Sequence, residues 1–207
     1  VGTLNSFFIG IVATVIATSL GTLAALGLSR PHMPFKGIIM AILISPMIVP
    51  LIITAAGMFF FYARINLVYT FTGVILAHVA LATPFVVITV TATLVGFDMN
   101  MVKAAQSLGA RPVKTFFRVI MPLILPGIIS GALFAFITSF DEVVIVMFMA
   151  SLDQLTIPKQ MWAGIRQEIS PVILCMATCL VALSIFLLTT VELLRRRSER
   201  LRGIKPR

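Results

Sequence analysis

The chain has 207 residues, 59% of them hydrophobic and only 11% charged, and its mean hydropathy is +1.10. A soluble domain of this size has too small a core to hide so much apolar surface, and the same composition excludes a disordered chain. The net charge of +9 does not point to nucleic acid, because seven cations (Arg195, Arg196, Arg197, Arg200, Arg202, Lys205 and Arg207) crowd a tail, 195–207, directly behind an apolar run. Such a tail reads as a cytoplasmic anchor of an integral membrane protein.

In chain order, five apolar stretches are long enough to cross the hydrocarbon core: about 5–28, 38–61, 70–96, 123–149 (interrupted by Asp141-Glu142) and 172–194. Loops 29–37 and 97–122 together with the tail carry thirteen cations, against Arg64, Lys159 and Arg166 on the other side. This bias places the C-terminus in the cytoplasm and, after five crossings, Val1 outside. No basic n-region precedes the first apolar run, so the expectation is that one span is missing before Val1.

Pro46, Pro50, Pro84, Pro122 and Pro126 punctuate the spans. Each removes a backbone hydrogen bond and is expected to bend its helix. Cys175 and Cys179 lack metal-type spacing and read as small apolar packing residues.

Segment 97–122 is read as a short helix, a glycine turn and a second helix leading into the membrane. Asp98 or Asn100 can cap the start. Met101, Ala104, Ala105 and Leu108 share one face. Gly109 ends the helix, and Arg111-Pro112 starts the next, where Val113, Phe116, Phe117 and Ile120 repeat the spacing. Exposed Met101 and Leu108 call for a partner surface, and a protein groove suits this short helix better than the bilayer.

Asp141 and Glu142 break the fourth span. An acid near the bilayer centre costs about 2.5–3.5 kcal/mol, which makes the pair a substrate-path candidate. Adjacent helix positions diverge by about 100°, so one acid, Asp141 first, is expected on the path and the other against a neighbour. The competing interpretation is a salt-bridge site with Arg64, Lys159 or Arg166. His78 reads as a hydrogen-bonded interhelical histidine, Tyr62, Tyr69 and Trp162 as interface anchors, and Glu168 and Asp153 as solvated loop charges. His32 and His78 fall on different levels and no metal spacing appears, which argues against a membrane-embedded enzyme. No G-x-x-x-x-G-K-[ST] phosphate loop is present. A self-sufficient secondary transporter would show internal repeats, and none is found.

The run Ala104-Ala105, Gly109-Ala110, Phe116-Phe117, Val119 and Met121-Pro122, then Pro126-Gly127, resembles the EAA loop of ABC importer permeases. Asn5-Ser6, Ser45-Pro46, Pro84 to Val87 and Ser139 to Val144 extend the likeness over the whole chain, and the spermidine/putrescine permeases of the shorter, second type look most similar. The resemblance implies an all-α membrane protein, a type I ABC importer transmembrane domain over 1–207 with six spans, of which five are present here. It implies a bacterial inner-membrane location and a heterodimer with a second permease. An ATPase homodimer would carry ATP and Mg, a periplasmic substrate-binding protein would deliver cargo, and this chain would hold no cofactor or metal. Coupling to the ATPase would run through Lys103, Ala104, Ala105, Leu108, Gly109 and Ala110 in loop 97–122, with alternating access driven by ATPase closure. Lys103 departs from the family pattern, which has a glutamate there. The implied cargo is a polyamine, with an iron chelate, sulfate, thiamine, a phosphonate or an opine as alternatives.

Overall fold

The computed structural model describes residues 2–30, 33–95, 100–167 and 171–201, and among them there is helix and no strand. His32, Asp98, Glu168, Arg202, Lys205 and Arg207 lie outside the described residues, as do the side chains of Arg166, Arg195, Arg197 and Arg200.

The core is three packed helices: α1 (Gly2–Leu28), α4 (Phe71–Val95) and α7 (Met121–Phe140). Their contact faces are built from small residues. On α1, Ala13, Ala17, Gly21 and Ala25 are buried at four-residue spacing, and on α7 so are Gly127, Gly131, Ala135 and Ser139. A Cβ on Gly127 would overlap Thr93 Oγ1, and one on Gly131 would lie 3.0 Å from the Val86 Cα. Small residues thus let the backbones approach, the usual basis of helix association where lipid removes the hydrophobic drive.

The second expected span is not one helix. It divides into α2 (Lys36–Ile48) and α3 (Leu51–Arg64), bent by 106° at the intervening Val49-Pro50. Pro50 disfavours the helical region for the residue before it, and Val49 is extended at φ −70°, ψ 134°. Pro84 behaves otherwise: it is buried within an unbroken α4. Among the described residues three helices are long and apolar enough to cross a membrane: α1, α4 and the continuous Pro112–Phe140 run; counted as one broken span, the bent pair makes a fourth. The fifth expected span falls in α10 (Pro171–Leu201), whose described apolar stretch, Leu174–Thr190, is shorter. Among the described residues, helix α10 packs mainly on α7 and α9, and Cys175 and Cys179 are exposed rather than packed inside. The helix also runs on through Arg195 to Leu201, so part of the basic tail is helical.

Between α4 and α7 lie α5 (Asn100–Ser107), a turn, α6 (Pro112–Thr115) and a π-helical turn, Phe116–Ile120. Gly109 sits at φ +78°, a left-handed conformation that glycine adopts without Cβ strain. The fourth expected span, 123–149, ends early. Helix α7 stops at Phe140, residues 141–143 form a corner, and a separate six-residue helix, α8 (Val144–Met149), follows. Beyond it, α9 (Ile157–Gln167) forms within what sequence reading treats as an outer loop, with Pro158 in its first turn, a favoured position.

Candidate functional site

Two helix breaks meet at one place. The corner 141–143 and the first residue of α3, Leu51, line a cavity of about 420 Å³ together with Ile137, Thr138 and Val144. Its depth follows from a neighbouring contact. His78 lies seven residues into α4, roughly 10 Å along the axis, and its Nδ1 is 2.8 Å from Ser139 Oγ, just before the corner. Asp141, two residues further along, therefore sits about 7 Å inside the α9 end of the bundle. His78 is the interhelical residue expected from sequence, and it is fully buried.

The two acids are not equivalent. Glu142 is 7% exposed, and its Oε1 accepts the Ile145 N–H at 2.9 Å. It closes the N-terminal end of α8, whose first amides otherwise lack partners. Asp141 is exposed to the cavity. The expected alternative, a salt bridge, is not seen: among the described residues neither acid is paired with a cation. Lys159 instead donates from Nζ to Val146 O at 3.2 Å and Ala150 O at 2.9 Å. Its ammonium meets the carbonyl end of α8, and burial pushes its pKa down from the ordinary lysine value. Helix α8 is thus held by an acid at one end and a lysine at the other, a charge arrangement that matches its dipole.

The cavity walls are apolar apart from Thr138 and the acids. Asp141 lies at the carbonyl end of α7, whose C-terminal dipole favours a positive guest. No group of three or more His, Cys, Asp or Glu occurs among the described residues. A single accessible carboxylate among aliphatic side chains offers one ammonium point and a surface for methylene groups.

At the same end, α1 is tied to the loop before α9. Asn5 Nδ2 donates to Asp153 O at 2.7 Å and Leu155 O at 3.0 Å, and Ser6 Oγ accepts the Ile157 N–H at 2.8 Å. Asn5 and Ser6 therefore have a structural task that their position at a span entrance did not disclose. Tyr69 donates its backbone N–H to Met149 O at 2.9 Å. Tyr62 is half-buried, whereas Tyr69 and Trp162 are exposed.

At the opposite end, α5 has no buried residue. Lys103, Ala104, Leu108 and Gly109 are exposed, while Ala105 and Ala110 are half-buried. Leu108 is 88% exposed, and Met101, Val113 and Phe117 are also uncovered. Arg111, Lys114 and Arg118, interspersed with them in sequence, are exposed too. This elbow exposes apolar and cationic side chains together, at the end of the bundle away from the acidic corner.

Residues 17–200 match the family described as "Binding-protein-dependent transport system inner membrane component". The chain belongs to this family. It is an ABC importer permease, and the fold agrees. A structure described as an amino acid ABC transporter with histidines superposes with a TM-score of 0.67 at 19% identity, covering 95% of this chain and 92% of that one. Among relatives, the chain is 30% identical over 196 residues to the "Spermidine/putrescine transport system permease protein PotC" of Haemophilus influenzae, covering 95% of this chain and 76% of that protein. It is 28% identical over 192 residues to the protein of the same name from Escherichia coli, covering 93% and 73%.

Proposed function

We propose that this permease subunit forms half of a path for polyamines, with Asp141 as the ammonium-binding point contributed by this chain. The observation that carries this reading is the corner itself. It holds one free carboxylate at the carbonyl end of α7, in an aliphatic cavity where two broken helices meet. Broken helices facing a cavity inside a bundle are a recurrent way to build a transport site. Spermidine and putrescine alternate ammonium groups with methylene runs, and Ile137, Leu51, Val143 and Val144 suit the latter. The names of the spermidine/putrescine relatives point the same way.

The α5 end faces the cytoplasm in this reading, since its loop and the C-terminal segment carry most of the basic residues. There the elbow docks on a separate ATPase subunit. Lys103, Ala104, Ala105, Leu108, Gly109 and Ala110 form the contact, and an acid on the ATPase compensates Lys103. A second permease completes the path, and a periplasmic binding protein loads it from the α9 end. ATP and Mg belong to the ATPase, and this chain performs no covalent chemistry.

The test is uptake of labelled spermidine by a transport-deficient strain expressing the complete transporter, with putrescine, an iron chelate and an aminophosphonate as competitors. Inhibition by putrescine alone is expected. An assembled complex that takes up no spermidine would contradict the polyamine assignment.

A further inference from the structure

The six residues of α8 span about 9 Å, too short to hold a helix without outside support. One end abuts the acidic corner and carries Glu142 on the Ile145 N–H. The other end carries Lys159 on Val146 O and Ala150 O and the Tyr69 N–H on Met149 O. Ile145, Val146 and Met149 bury the intervening face, mainly against α3 and α4. Helix α8 therefore behaves as a strut, and the corner 141–143 is its fixed end.

We propose that Lys159 is a positioning residue for cation recognition. By holding the carbonyl end of α8, it keeps the corner at the other end in the shape that leaves Asp141 facing the cavity. Lys159 is not among the residues that line the cavity. Among the described residues no acid pairs with its half-buried ammonium. Its partners are carbonyl oxygens at a helix end, where a cation is favoured by the dipole. A residue needed only to fill space would not require a charge at this place. The inference rests on the reading of Asp141 as the ammonium point.

Two readouts in the complete transporter test it. The first is the KM and maximal rate of spermidine uptake. The second is the rate at which a membrane-impermeant maleimide labels Val143→Cys, in a background with Cys175→Ser and Cys179→Ser. Lys159→Met should raise KM about five- to tenfold, the size of a lost charge–dipole contact, with the maximal rate per assembled complex little changed. It should also change the labelling rate at position 143 by a similar factor. Lys159→Arg should restore both. Unchanged KM and labelling in Lys159→Met would overturn the proposal, as would equal defects in the Met and Arg variants. A lower amount of complex with parental KM would make Lys159 a stability residue only. Should Lys159→Met not assemble, Lys159→Gln, a neutral donor, replaces it. Raised KM there supports the role of charge, and parental KM overturns it. Asp141→Asn is measured in parallel. If that variant transports normally while Lys159→Met still alters labelling, the ammonium point is wrong and the strut stands. If Asp141→Asn fails and Lys159→Met leaves labelling unchanged, the reverse holds.

Discussion

Glu142 and Asp141 are neighbours with different tasks, and substitution should separate them. Glu142→Gln keeps an oxygen that can accept the Ile145 N–H. We expect normal assembly and, at most, a severalfold loss of spermidine uptake in the Gln variant. Glu142→Ala removes the cap and should cost about 0.5–2 kcal/mol, read as reduced thermal stability of the purified complex. Equal stability of the two variants would contradict the capping role. Behind the corner, Ser139→Ala removes the His78 bond. Interhelical bonds in membranes average about 0.6 kcal/mol with a maximum near 1.7, so a small fall in melting temperature with uptake retained is expected. The acids were visible in the sequence because charge inside an apolar run is rare. That they would face different ways was legible too, since adjacent helix positions diverge by about 100°; that the partner of Glu142 is the Ile145 N–H was not, because it depends on where α7 stops. Lys159 was equally hidden: a lone cation in a loop gives no sign that carbonyl oxygens of another segment surround it.

At the scale of elements, the elbow was the most readable part. Gly109 between two apolar periodicities marks a left-handed turn, and its φ is +78°. Nothing lies within 4 Å of a Cβ added there, so a side chain is opposed by backbone conformation and not by crowding. Gly109→Val should cost about 1–2 kcal/mol at the turn, reorient α5 against α6, and lower ATP hydrolysis coupled to transport while the permease remains in the membrane. Retention of full coupling would remove the elbow from the transmission path. The glycines of α7 behave oppositely. Gly127→Val drives a side chain into Thr93, and overpacking of about 1–3 kcal/mol should reduce the yield of assembled complex. The sharp break inside the second span was not foreseen, because Pro46 and Pro50 look like ordinary kinks in a hydropathy window. The 106° bend comes from the extended Val49 between two helices, a local geometry that apolar composition does not encode. Helices α8 and α9 were missed for a similar reason: six and eleven residues give too little periodicity to stand out.

For the whole molecule, composition and charge asymmetry sufficed to indicate a multi-span protein with distinct ends. The packing order of α1, α4 and α7 was not legible, since small-residue seams have no hydropathy signature. The bundle carries an acidic corner about 7 Å inside one end and an exposed basic elbow at the other. In the proposed function, Asp141 receives an ammonium group on the way through. The most direct measurement is spermidine uptake by the complete transporter carrying Asp141→Asn, with the amount of complex determined alongside. Loss of one charge-assisted hydrogen bond, about 1.5–3 kcal/mol, predicts a KM raised by roughly ten- to a hundredfold at unchanged assembly. A KM and maximal rate matching the parent would contradict the account and return Asp141 to a purely structural role.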